Sequence, residues 1–145
     1  MIAFISDIHS NLTALEAVLA DIDATVPGAR IWCLGDIVGY AAQPGECLDL
    51  VFDRCEVVIA GNHDLAVADD ERINEDTVPG LFQGGPGAGI ALAKRVLSQG
   101  QLDALGRLEP HRVLDNIQLD HGSARDPIWE YIRTPEIATI HLEQQ

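Results

Sequence analysis

Ile2-Ala3-Phe4-Ile5-Ser6-Asp7-Ile8-His9-Ser10-Asn11 opens the chain, and its reading decides the fold. Ile2 to Ser6 is a short apolar run rich in β-forming residues, which reads as a buried strand. From Asn11 to Ile22 the apolar residues Leu12, Leu15, Leu19 and Ile22 recur at helical spacing, with Ser10 or Asn11 placed to cap the helix. Arg30 to Leu34 reads as a second buried strand. Pro44 to Phe52 reads as a second helix, with Leu48, Val51 and Phe52 inward, and Glu56 to Ala60 as a third strand. Strand, helix, strand, helix, strand predicts right-handed crossovers and a parallel sheet with helices on its faces.

Beyond this unit the periodicity weakens. From Leu65 to Gly89 the sequence passes through Asp69, Asp70 and Glu71 into glycine and proline, which reads as a mobile excursion. The run from Gly84 to Gly89 has no preceding strand and no Gly-Lys-Ser/Thr ending, so it reads as a linker and not as a phosphate loop. Helical spacing returns in Ile90 to Leu97 and in Leu102 to Leu108. Arg112 to Leu114 and Ile117 to His121 then form a hairpin turned at Asp115-Asn116, and Pro135 to Gln145 forms a last helix. At 145 residues the chain suits a single domain, 1–145, with a sizeable core.

The net charge of −14 and pI near 4.4 disfavour nucleic-acid backbones and anionic lipid as partners. They also repel a phosphate ester unless bound cations reverse the local sign, which favours a metal over a basic patch. The 3 cysteines, Cys33, Cys47 and Cys55, form no CxxC pair and no disulfide framework, as expected of reduced thiols in the cytoplasm. The opening run lacks a basic flank and is broken by Asp7 and His9, unlike a signal peptide. No stretch is apolar enough for a membrane helix, since glycines and prolines interrupt the uncharged run from Thr77 to Ala93.

Each of the three strands ends in a polar cluster: Asp7 and His9, then Gly35 and Asp36, then Gly61, Asn62, His63 and Asp64. In a parallel sheet the strand C-termini share one edge, so these clusters are expected to converge at the usual ligand crevice of an α/β fold. His121-Gly122-Ser123 closes the hairpin in the same style. Carboxylate, imidazole and carboxamide donors suit Mn²⁺, Fe or Zn²⁺ and are too rich in nitrogen for a Ca²⁺ cage. Two such ions about 3.5–4 Å apart would clamp the attacking and leaving oxygens of an in-line displacement at phosphorus, so hydrolysis is the natural reaction. Taken singly, each residue has a bland reading: Asp7 or Asp36 as a turn cap, a lone histidine as structural.

Asp7-Ile8-His9, Gly35-Asp36-Ile37-Val38-Gly39-Tyr40, Gly61-Asn62-His63-Asp64 and His121-Gly122-Ser123, in this order, resemble the successive motifs of the calcineurin-like metallophosphoesterases. The run from His121 through Arg125 and Trp129 to Tyr131 further resembles their small prokaryotic phosphodiesterase branch. The resemblance implies an αββα sandwich, here with the second sheet incomplete. It also implies two divalent ions, Mn²⁺ first with Fe, Zn²⁺ or Ni²⁺ as alternatives. Asp7 and His9 would bind one ion, Asn62 and His121 the other, and Asp36 would bridge. His63 would be the general acid with Asp64 orienting its ring and favouring its protonated form, and the attacking group a hydroxide activated by both ions.

Arg125 would bind a phosphoryl oxygen, with a surface salt bridge as the equal alternative; Trp129 and Tyr131 would wall the cleft or pack in the core. Family members carry a further Gly-His-x-His motif that 122–145 does not match, and His141, between Ile140 and Leu142, reads as a helix residue. The expectation is therefore a domain truncated at its C-terminus relative to the family. Its hairpin edge would be left free for a homodimer formed by edge pairing or domain swapping. The implied function is a phosphoesterase acting on a small phosphodiester or phosphomonoester. The alternative is a non-catalytic metal-binding or interaction module.

Overall fold

The computed structural model describes residues 1–69 and 71–143; Asp70, Gln144 and Gln145 lie outside them. Three parallel strands, β1 (Ile2–Ile5), β2 (Arg30–Cys33) and β3 (Val57–Val58), lie in the order β1-β2-β3. Ile2 pairs with Arg30 and Ile5 with Cys33, while Trp32 pairs with Val57 and Cys33 with Val58. The crossovers are α1 (Leu12–Thr25) and α2 (Pro44–Arg54). Asn11 caps α1 through Oδ1, which accepts from Ala14 N, and Pro44 starts α2 where a missing N–H costs nothing.

Residue alternation sorts the sheet into two faces. Ile5, Ile31 and Cys33 point to one side and join Leu15, Leu19, Leu48 and Val51 of the helices in the main core. Trp32, Val57 and Ile59 point to the other side, where Leu119 covers them. Leu119 belongs to an antiparallel hairpin of β4 (His111–Leu114) and β5 (Ile117–Asp120), turned at Asp115 with φ of 53°. The architecture is thus mixed α/β with a parallel sheet and a small second sheet, as the sequence implied, but the helices that build the main core share one face of the parallel sheet.

Four local readings are corrected. β1 is an edge strand and not a fully buried one: the hairpin packs over β2 and β3, and Phe4 remains 51% exposed with its ring edge-on to Trp32. Phe52 is exposed; the inward face of α2 is Cys47, Leu48 and Val51. The stretch read as a mobile excursion takes in the end of α3 (Asn62–Ala68) and a 3₁₀ turn at Pro79–Phe82. Its glycine run is helical, as the start of α4 (Gly84–Val96). Glycine there is a packing device, because a Cβ at Gly87 would collide with the carbonyl of Phe82 and one at Gly89 with the backbone of Tyr40. Pro86 is tolerated because it falls in the first helical turn.

α5 (Gln99–Gly106) follows, opened by a capping box between Ser98 and Gln101. α6 (Pro135–Glu143) ends the described chain. No helix among the described residues is long and apolar enough to cross a membrane.

Candidate metal centre at the strand ends

The loops that follow β1 and β2 continue to pair after the strands end. Asp7 N donates to Gly35 O at 3.0 Å, His9 N to Asp36 O at 2.9 Å and Ser10 N to Ile37 O at 2.9 Å. This pairing forces unusual backbone. Asp7, His9, Ser10, Asp36 and Tyr40 all have φ between 50° and 58°, and Asp115 in the hairpin turn is the remaining non-glycine residue of this kind among those described. Each such residue costs roughly 1–2 kcal/mol, so the concentration of strain at one edge of the sheet is a functional signal. Glycine is required where these loops touch: a Cβ at Gly61 would strike the Asp36 carboxylate, and one at Gly35 the backbone at Gly61.

Asp36, 3% exposed, sits at the centre. Its Oδ1 accepts from His63 N at 2.9 Å. Its Oδ2 lies 3.8 Å from His9 Nε2 and 3.7 Å from His121 Nε2. Asp7 Oδ1 is 3.8 Å from the same His9 nitrogen, and Asn62 Oδ1 is 3.2 Å from His121 Nε2. The sequence-predicted donors Asp7, His9, Asp36, Asn62 and His121 therefore converge. Asp7, with its side chain 62% exposed, lies at the open mouth, and the others lie deeper.

The outer ring nitrogens fix how the imidazoles are used. His121 Nδ1 is 2.8 Å from Leu34 O and His9 Nδ1 is 3.3 Å from Val38 O. A carbonyl only accepts, so each Nδ1 carries a proton and each Nε2 is the nitrogen turned inward. These inner nitrogens face carboxylate and carboxamide oxygens across 3.2–3.8 Å. Histidine anchored through its second nitrogen is the usual form of a metal ligand. The donor set fits divalent metal.

His63 and Asp64 depart from expectation. Asp64 does not reach the His63 ring; its Oδ1 accepts from Ile37 N and Val38 N, and its Oδ2 from Gly61 N, at 2.9–3.1 Å. It is a fully buried clamp that ties the second loop to the third. Burial pushes its carboxyl above the usual range, with Asp36 adding to the shift and the N–H donors opposing it. The His63 imidazole, with buried Nδ1 unpartnered, is lowered to about 4 by burial first and by His9 and His121 next. It is therefore neutral near pH 7, not held protonated by Asp64. Donor atoms of His9, Asp36 and His63 also lie within 4.8 Å of one another, so His63 is close enough to ligate.

Arg125 does not face the site. Its guanidinium forks onto Glu130, through Nε at 3.1 Å and through Nη2. Glu130 also accepts from Ser123 Oγ at 2.6 Å and lies 2.8 Å from His141 Nε2. These bonds, Arg125 foremost, hold the Glu130 carboxyl down at about 2. The cluster sits two residues beyond His121, and sequence reasoning missed it because Glu130 and His141 carry no local signature. Trp129 packs against the main core, and Tyr131 is exposed under the Arg133 guanidinium.

With this geometry in place, comparison with known proteins gives a consistent result. The family model for calcineurin-like phosphoesterase matches residues 1–141. The uncharacterized protein MJ0912 of Methanocaldococcus jannaschii is 40% identical over 138 residues, covering 91% of this chain and 54% of that protein. The crystal structure of a metallophosphoesterase from Sphaerobacter thermophilus superposes with TM-score 0.77 at 36% identity, over 99% of this chain and 56% of that one. The fold also matches the hypothetical protein PH1004 of Pyrococcus horikoshii OT3, with TM-score 0.79, 22% identity and 99% against 65% coverage. This chain thus spans between 54% and 65% of the length of these relatives.

Proposed function

The chain belongs to the calcineurin-like phosphoesterase family, and on that premise we propose that it hydrolyses a small phosphodiester or phosphomonoester at a pair of divalent cations. Manganese is the first choice, with iron, zinc or nickel as alternatives. Asp7 and His9 would hold one cation and Asn62 and His121 the other, with Asp36 available to both. The observation that carries this reading is the position of Asp36 Oδ2 between two imidazole Nε2 atoms, 3.8 and 3.7 Å away. When bound, such a pair supplies hydroxide near neutral pH and neutralises charge on the phosphoryl oxygens.

The chain's own residues orient this chemistry. Leu34 O and Val38 O fix the two rings, and Asp64 holds the loop that carries Asp36 against the loop that carries Asn62. His63 would act at the leaving oxygen as general acid, its ring lying beside the donors of His9 and Asp36. The unpaired Cys33, Cys47 and Cys55 support a cytoplasmic setting. Self-association through a free sheet edge belongs to the same reading and would appear as a dimer in sizing chromatography.

The test is hydrolysis of bis(p-nitrophenyl) phosphate with and without Mn²⁺ by the parent and by Asp36→Ala. Turnover should need metal and fall by more than the roughly 10–100-fold typical of losing an outer hydrogen-bond partner. Equal, metal-independent rates would sink the proposal. Stoichiometric metal binding without turnover would select a non-catalytic metal-binding or interaction module.

A further inference from the structure

Tyr40 is the one strained residue of the site that neither donates to the centre nor lies beside a donor in sequence. Its φ of 52° is an outlier for a bulky side chain. The conformation is enforced from three sides. Gly39, with φ of 94°, precedes it and lies against the His63 ring, where a Cβ would come 3.0 Å from Cγ. Ala41 N, just after it, donates to His9 O at 3.1 Å. Helix α4 presses Gly89 onto the Tyr40 backbone, and a Cβ added at Gly85 would meet the ring at 3.7 Å. The glycine run is thus the seat of a single tyrosine.

The ring so placed lies 4.7 Å from the His9 ring and 5.0 Å from the His63 ring, between centroids, yet Tyr40 is 50% exposed. The chain also has few other means of holding a ligand beside these imidazoles, since its net charge is −14 and Arg125 is spent on Glu130. An aromatic face recognises a planar group without charge.

We propose that Tyr40 is a substrate-contacting residue that stacks on a planar aromatic leaving group, aryl or nucleoside, and so sets the substrate class of the site. This rests on the phosphoesterase reading above for the position of the ester. The experiment measures binding of phenylphosphonate, a nucleoside phosphonate and methylphosphonate to the Mn²⁺-loaded full chain by calorimetry, together with phosphate release from the matching esters.

The parent should bind phenylphosphonate on the order of tenfold more tightly than methylphosphonate, as one stacking contact provides. Tyr40→Phe should keep that ratio and Tyr40→Leu should lose it. The nucleoside probe, measured beside phenyl, separates the two sources of the aromatic group. A parent without preference, a preference retained in Tyr40→Leu, or no phosphonate binding at all would each overturn the inference. If Tyr40→Leu fails to fold by circular dichroism, a nuclear Overhauser contact between the phenyl protons and the Tyr40 ring in the parent, loaded with diamagnetic Zn²⁺ in place of Mn²⁺, decides the matter. Aromatic-selective binding without ester turnover would refute the hydrolase reading while leaving the Tyr40 contact standing.

Discussion

At the scale of single residues, the side chains around the centre divide into those that face inward and those that hold them there. Asp64 is the clearest of the second kind, with three backbone N–H groups on one buried carboxylate. Asp64→Ala strands those donors at about 1–3 kcal/mol each if no water replaces the carboxylate. Chemical denaturation should therefore show a loss of several kcal/mol, and Mn²⁺ affinity should fall with it. A loss below about 1 kcal/mol would show that Asp64 is not the clamp.

Glu130 makes a prediction in pH. Its carboxyl is held at about 2 against an ordinary 4.5, so the folded state binds its proton less readily than the unfolded chain. The stabilisation is present above the unfolded value and is lost as pH falls from about 4.5 through about 2. Thermal melts of parent and Glu130→Gln should differ at pH 6 and converge across that window. A gap independent of pH would assign the effect to packing.

At the scale of elements, α4 and α5 give opposite expectations for one kind of change. Gly100 in α5 has open space where a Cβ would go, so Gly100→Ala should stabilise by up to about 1 kcal/mol. Gly89 in α4 abuts the Tyr40 backbone, so Gly89→Ala should destabilise by roughly 1–3 kcal/mol despite alanine's better helix propensity. Denaturant midpoints of the two variants should move in opposite directions. Helical propensity alone would move them the same way, which is why the glycine run was misread as a loop. Only the neighbouring Tyr40 loop explains it.

At the scale of the whole molecule, one helical layer, one parallel sheet and one hairpin are joined through two cores, and the centre draws on the strand ends and on the hairpin. Leu119 links the hairpin to Trp32, Val57 and Ile59. Leu119→Ala should cost about 2–5 kcal/mol and also weaken metal binding, because His121 comes directly after the strand that Leu119 anchors. Metal should stabilise the entire fold, by about 2.7 kcal/mol at a hundredfold excess over Kd. Melting with Mn²⁺ and then with a chelator measures this, and an unchanged midpoint would argue against a preformed centre.

The sequence by itself determined the alternation of strands and helices and the placement of Asp7, Asp36 and Asn62 at the strand ends, because periodicity and turn residues are local properties of the chain. It also marked His121, since a hairpin ending in a ligand type is a short-range pattern. Only the tertiary structure decided which imidazole nitrogen turns inward, what Asp64 binds, that Arg125 serves Glu130, and that a glycine run is a helix holding Tyr40. Those outcomes depend on carbonyls, carboxylates and steric contacts supplied by distant segments, and folding alone brings such partners within hydrogen-bonding reach.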